Sequence, residues 1–365
     1  VTVLVATRVV NGEGGISAAP AWIVVDGDRI VATGTGRPPA GDHDDLGDAI
    51  LAPGFVDLQV NGCGDADFAT ATPDDTTAAL DELARGGCTA CLPTLVSARL
   101  DTYDAALRRL AAVRALRPEQ VLGVHLEGPF LGGAPGAHPP ELLRVVDLDW
   151  LLDLCDRFGD LIRVVTLAPE ADPGLRATAA LAARGVVVAL GHSLVDYDGA
   201  RAAADAGARM VTHVFNGMGP FHHREPGLAG AGLDDRRLVP SLIADFVHVH
   251  RAVVRIALDV RRDAVLVSDA VAITTGIEAR GGAAYASDGT LAGSTITMAT
   301  AVRNIASLGV PVGRAVRHAT ANPSRVLGLT ERGRIAPGAR ADLVALDPES
   351  VTPRRVWLGG RSLDR

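Results

Sequence analysis

Four residues with the chemistry of a hydrolytic metal site stand at the ends of apolar runs. Glu127 closes Gly123-Val124-His125-Leu126-Glu127 and is followed at once by Gly128 and Pro129. His192 follows one apolar run, His213 lies at the end of the next, and Asp269 follows a fourth. Two imidazole nitrogens and a carboxylate oxygen are good donors for Zn²⁺ or a similar divalent ion, with a position left for water. A second carboxylate nearby, Asp269, could take a proton from that water and return it to a leaving group. Taken singly, each has a commonplace reading, a core histidine or an Asp capping a loop. Their recurrence at strand ends is what points to chemistry.

The elements that must bring them together are legible as alternation. Apolar runs occur at residues 54–60, 89–96, 121–127, 162–168, 186–191, 209–214, 239–244 and 264–268. Between them, stretches of helical period occur at 74–85, 101–116, 140–156, 174–183, 196–206 and 251–258. Continuous apolar runs fit parallel strands buried on both faces. Eight of them predict a (β/α)₈ TIM-like barrel, whose active sites lie at the C-terminal ends of the strands. Residues 7–10, 21–25 and 29–32 read as short strands and 36–48 as a loop rich in Pro, Gly and Asp. After Asp269 come a glycine-rich loop region and helices at 297–307 and 312–327, and short strands return near the end. The expected organisation is therefore a barrel over 51–330 and a small β-sandwich domain formed from 1–50 and 331–365.

Composition narrows the function. The chain has 365 residues, 48% of them apolar, enough for a large core. A net charge of −8 argues against a nucleic-acid partner, which needs a basic face. No apolar run is long enough to cross a membrane, and the spread of the cysteines fits a reducing cytoplasm. The four cysteines, Cys63, Cys88, Cys91 and Cys155, form no disulfide framework, and Cys88-Thr89-Ala90-Cys91 reads as buried thiols in a strand. The sequence contains no lysine. Schiff-base chemistry and Walker-type phosphate binding are thereby excluded, and any phosphate must be held by Arg, His or backbone N–H groups.

A wider set of motifs carries a family resemblance. His125-Leu126-Glu127-Gly128-Pro129-Phe130, Gly191-His192-Ser193, Thr212-His213-Val214-Phe215-Asn216-Gly217-Met218 and Arg224-Glu225-Pro226-Gly227-Leu228-Ala229-Gly230 resemble the N-acetylglucosamine-6-phosphate deacetylases of the amidohydrolase superfamily. The resemblance continues through Ile243-Ala244-Asp245 with His248, Leu266-Val267-Ser268-Asp269-Ala270, Leu291-Ala292-Gly293-Ser294 and Gly338-Ala339-Arg340-Ala341-Asp342-Leu343. It implies that Glu127, His192 and His213 are metal ligands and that Asp269 is the general base and then acid. It implies that Ala137, His138, Asn216, Gly217, Arg224, His248, Leu291, Ala292 and Gly293 contact a sugar phosphate or shape its pocket. Hydrolases on this barrel often place His-x-His at the end of the first strand; here Gln59 and Asn61 stand there. Amides are poor ligands for a second transition metal but can contact a water or substrate. With no lysine to be carbamylated, one divalent ion per subunit is expected, Zn²⁺ by its donors, with Fe²⁺ compatible. In relatives the arginine matching Arg224 reaches the neighbouring active site, which implies a homodimer.

The activity implied is hydrolysis of the acetamide of N-acetyl-D-glucosamine 6-phosphate to glucosamine 6-phosphate and acetate, with water activated by the metal as nucleophile, in amino-sugar catabolism or recycling. The alternatives are deacetylation of N-acetylgalactosamine 6-phosphate or a secondary-metabolite intermediate and, more remotely, a non-catalytic sugar-phosphate binding protein. The segment 131–138 departs from the family pattern: it is rich in Gly and Ala where relatives often carry longer polar groups. His222 and His223 are expected in solvent on a loop, His250 at the surface and His318 on a helix face. His125 should face the same side of its strand as Glu127, either supporting the site or packing inside the barrel.

Overall fold

Runs of Val, Leu, Ile and Ala with no polar face cannot form a half-solvated strand, and here they become one parallel sheet. The computed structural model describes residues 1–363. Its strands are β1 (Phe55–Val60), β2 (Cys88–Leu95), β3 (Val124–Glu127), β4 (Ile162–Leu167), β5 (Val187–Leu190), β6 (Met210–Val211), β7 (Val239–Ile243) and β8 (Val265–Val267). They follow one another in sheet order from β1 to β8. A parallel bridge between Val60 and Ala270 and a bond from the Asp269 N–H to the Gln59 carbonyl at 2.9 Å bring the two edges together into a nearly closed barrel. Successive strands are joined through α1 (Pro73–Arg85), α2 (Tyr103–Leu116), α3 (Leu148–Phe158), α4 (Arg176–Ala183), α5 (Tyr197–Asp205), α6 (Gly227–Asp234) and α7 (Arg251–Val260). Asp147 and Asp196 cap α3 and α5, accepting from the N–H groups of Trp150 and Gly199.

The chain clusters into two compact units. One comprises Leu58–Ala79 and Leu92–Ile296 and contains every residue of the candidate site. The other comprises Val1–Asp57, Leu80–Cys91 and the chain from Thr297 onward. In the latter, two sheets share a core. The strands Arg29–Thr35, Ala21–Asp26, Thr2–Ala6 and His43–Asp45 form one; Arg8–Val9, Ile50–Pro53, Leu343–Leu346, Pro353–Leu358 and Arg361–Leu363 form the other. Leu4, Ile23, Ile30, Leu51, Leu343 and Trp357 pack between them.

Four local expectations are corrected. The helix expected over 140–156 begins only at Leu148: Pro139 and Pro140 open a single 3₁₀ turn, and the N–H groups of Arg144 and Val146 bond outside it, to Pro129 and Ala171. The loop expected over 36–48 contains the strand His43–Asp45, which pairs in parallel with Thr2–Ala6. α6 was hidden by Gly227, Gly230 and Gly232, which dilute its apolar period; a Cβ at Gly232 would lie 3.0 Å from Val211. The glycine-rich region after Asp269 holds a three-stranded antiparallel sheet, Ile277–Arg280, Ala283–Ala286 and Leu291–Ser294. Its turns carry Gly281-Gly282 and Asp288-Gly289, which are ordinary hairpin signals. The cysteines are free thiols, and burial pushes Cys88 up.

Inside the barrel a directed chain of hydrogen bonds ties four strands together. His125 Nδ1 lies 3.0 Å from the Leu58 carbonyl and must donate to it. Burial pushes His125 down to about 4, so the ring is neutral and its Nε2 accepts from the Thr166 hydroxyl at 2.7 Å. Thr166 in turn accepts from Thr212, also at 2.7 Å. His125 is thus an inner-barrel group, one layer below Gln59, Glu127 and His213. Thr166→Val leaves two buried groups short of a partner and should cost about 1–3 kcal/mol, read as a lower denaturation midpoint.

Candidate metal-dependent active site

The side chains of the site are aimed by unusual backbone. His192 (φ 49°), His213 (φ 28°) and Asp269 (φ 48°) all lie in the left-handed region, which non-glycine residues seldom occupy. Each stands just past a strand that stops short, so the turn redirects the side chain toward the barrel mouth. Bonds from Ser193 N–H to the Gly217 carbonyl (3.0 Å), His213 N–H to the Ser241 hydroxyl (2.7 Å) and Asp269 N–H to the Gln59 carbonyl (2.9 Å) hold the three turns. Such strained residues persist only where the surroundings over-determine them, and they gather at functional sites.

Three donor atoms converge. Glu127 Oε1 lies 3.2 Å from His192 Nε2 and 2.9 Å from His213 Nε2, and the two nitrogens are 3.1 Å apart. All three residues are buried. Ligands about 2.0–2.1 Å from one ion form a triangle of about this size. Three acceptors that close cannot share one proton, whereas a cation in the triangle satisfies all of them. His192 Nδ1 donates to the Ala134 carbonyl at 3.1 Å, which leaves Nε2 free as a lone-pair donor. Burial alone would raise the Glu127 carboxyl, but the imidazoles of His192 and His213 set against it outweigh that and hold it well below the usual range. The site therefore calls for positive charge beside Glu127. The residues fit a divalent metal, and they are the one such cluster among the described residues.

Gln59 and Asn61 serve the carboxylates. Gln59 Nε2 donates to Glu127 Oε1 at 2.9 Å and to Asp269 Oδ1 at 3.1 Å; Asn61 Nδ2 donates to the same Asp269 oxygen at 2.9 Å. Gln59 is buried and does not line the cavity, while Asn61 does. Burial, with Glu127 adding to it, pushes Asp269 up to about 6.

The cavity above the donors has a volume of about 590 Å³, ample for a small ligand. Glu127, His192, His213 and Asp269 line it together with Ala137, His138, Asn216, Gly217, His248 and Leu291, Ala292 and Gly293. Gly217 (φ 58°) lies against the His192 ring, where a Cβ would sit 2.6 Å from Nδ1. His138 is held by the Ser97 hydroxyl at 2.9 Å, and burial, with His192 adding to it, lowers it to about 3. His248 Nδ1 is 2.5 Å from Asp245. Arg224 is not in this cavity; it belongs to the exposed segment 220–225, where the His222 and His223 rings lie tilted against each other with centroids 4.2 Å apart. His250 is exposed and caps α7, while His318 lies on the buried face of the helix Val312–His318. Sequence reasoning missed Ser97 and the cavity-lining Asp67, Thr274 and Thr275, and named Asp245 in a motif without giving it a role. Only Asp245 had a signal, three residues before His248.

The amidohydrolase family model matches residues 50–363. The chain belongs to the amidohydrolase family. This amidohydrolase is 39% identical over 333 residues to an N-acetylgalactosamine-6-phosphate deacetylase of Escherichia coli O157:H7, covering 86% of this chain and 87% of the relative. It is 37% identical over 353 residues to the human N-acetylglucosamine-6-phosphate deacetylase, covering 89% and 86%. Among solved structures, a mutant N-acetyl-D-glucosamine-6-phosphate deacetylase of Mycobacterium smegmatis, in complex with N-acetyl-D-glucosamine-6-phosphate, superposes with a TM-score of 0.93. It is 38% identical, with 99% of this chain and 98% of that one covered.

Gln59 is the joint between Glu127 and Asp269, so Gln59→Leu should lower kcat/KM about 10–100-fold, the usual cost of losing such a support. Circular dichroism should show the fold unchanged.

Proposed function

We propose that the protein hydrolyses the acetamide of N-acetyl-D-glucosamine 6-phosphate to glucosamine 6-phosphate and acetate, with Glu127, His192 and His213 as ligands of one divalent ion. The observation that carries the reading is a three-donor cluster with a protonatable carboxylate beside it in one cavity. The donors suit Zn²⁺, with Fe²⁺ the next candidate. When bound, such an ion supplies Lewis acidity, acidifying water and polarising the amide carbonyl.

The chain's own residues do the rest. Asp269, steadied by Gln59 and Asn61, takes the proton of the attacking water on its free oxygen. It then delivers that proton to the nitrogen, without which the amine cannot leave. A carboxyl raised toward neutrality suits both transfers. His138 is neutral and faces the cavity, where it can hydrogen-bond the acyl group. His248, oriented by Asp245, and the turn at Asn216 and Gly217 can hold the sugar and its phosphate.

The phosphate carries close to two negative charges, yet no arginine lines the cavity among the described residues. Arg224, exposed on its own subunit, fits a role in the neighbouring site of a homodimer. The 39% identical relative that deacetylates N-acetylgalactosamine 6-phosphate supports a second reading on the epimeric sugar.

Acetate release from N-acetylglucosamine 6-phosphate, N-acetylgalactosamine 6-phosphate and the two unphosphorylated sugars tests the reading; the first should be the best substrate. Asp269→Asn should lower kcat about 10²–10⁴-fold while metal binding persists. Arg224→Ala should raise KM for the phosphorylated sugar about 10–100-fold, the loss of one charged hydrogen-bond partner. Mixing Asp269→Asn and Arg224→Ala subunits should restore activity, since each mixed dimer holds one intact site; no recovery would mean that Arg224 acts within its own subunit or not at all.

A further inference from the structure

The glycine-rich segment 131–138 is tied down by one carboxylate outside the cavity. Glu170 lies on the short turn Pro169–Ala171 after β4, a strand whose end carries no proposed ligand. Its Oε1 accepts from Leu194 N–H at 2.8 Å and from Gly133 N–H at 3.3 Å, and its Oε2 accepts from the Ser193 hydroxyl at 2.5 Å. Ser193 and Leu194 directly follow His192, and Gly133 belongs to the loop that runs on to Ala137 and His138. Two more bonds join the same pieces: Gly132 N–H to the His192 carbonyl at 2.8 Å, and His192 Nδ1 to the Ala134 carbonyl at 3.1 Å. Glu170 is thus the shared acceptor of the His192 turn and the cavity wall, and its bonds are of the strong, charge-assisted kind.

The loop approaches the carboxylate and the turn closely at Gly132 and Gly133. A Cβ at Gly132 would lie 2.0 Å from Glu170 Oε1, and one at Gly133 2.6 Å from Leu194 Cδ1. Glycine at both positions lets the loop lie flat against the carboxylate and the turn.

We propose that Glu170 is a positioning residue: it staples the 131–138 loop to the turn after His192 and so fixes both the His192 ring and the wall carrying Ala137 and His138. The inference rests on His192 being a metal ligand. Glu170→Ala should lower the affinity for Zn²⁺, measured by competition with a fluorescent chelator, and kcat/KM on the sugar phosphate, each about 10–100-fold, in a folded protein. Gly132→Ala pushes its new methyl group into the carboxylate and should cause the same loss. In the double variant the clash is gone, so it should be no worse than Glu170→Ala alone. Wild-type Zn²⁺ affinity in Glu170→Ala, or additive losses in the double variant, overturns the proposal. Should Glu170→Ala not fold, Glu170→Gln carries the test: its carbonyl still accepts from the two N–H groups, but its amide nitrogen cannot accept from Ser193. A several-fold loss of Zn²⁺ affinity is then expected, and unchanged affinity overturns the proposal. A wild type that binds Zn²⁺ but releases no acetate defeats the deacetylase reading alone and leaves the affinity arm standing.

Discussion

A carboxylate buried at the mouth of a barrel is costly unless positive charge or hydrogen-bond donors surround it, and the site is built around that requirement at Glu127. Its Oε1 receives His192, His213 and Gln59 within 2.9–3.2 Å. These partners come from β1, β3 and the turns after β5 and β6, so they meet only if the barrel closes with the right register. The His125–Thr166–Thr212 chain beneath them joins β1, β3, β4 and the end of β6. Fold and site are in this sense one constraint.

The same requirement accounts for the amide pair. A single nitrogen of Gln59 spans Glu127 and Asp269, and Asn61 adds a second donor to Asp269. Neutral donors thus hold two carboxylates near each other where a second cation would otherwise be needed. They also leave Asp269 raised to about 6, able to accept and return a proton. Left-handed backbone at His192, His213 and Asp269 is the cost of aiming three side chains inward from short strands.

Much of this was legible in the residues. Eight apolar runs foretold the strands because a doubly buried strand has no polar face to hide it. Glu127, His192, His213 and Asp269 were legible because they interrupt apolar runs with chemistry. What escaped had weaker local signals. α6 and the sheet over 277–294 were masked by glycines whose value lies in close packing. The true start of α3 depended on where the N–H groups of Arg144 and Val146 found partners, which is long-range information. Gln59 was visible as a missing histidine, but its bridging role depends on a partner 210 residues away. Glu170 carried no signal, since an exposed glutamate after a strand is ordinary until the loops around it are seen.

The claim at the centre is one hydrolytic ion per chain, held by Glu127, His192 and His213. Elemental analysis of protein purified without added metal, paired with acetate release from N-acetylglucosamine 6-phosphate before and after chelation, tests it most directly. The expected result is about one divalent ion per chain, as one three-donor cluster allows, with activity lost on chelation and regained on adding the ion back. Two ions per chain, as in two-metal hydrolases, or full activity in metal-stripped protein would contradict it.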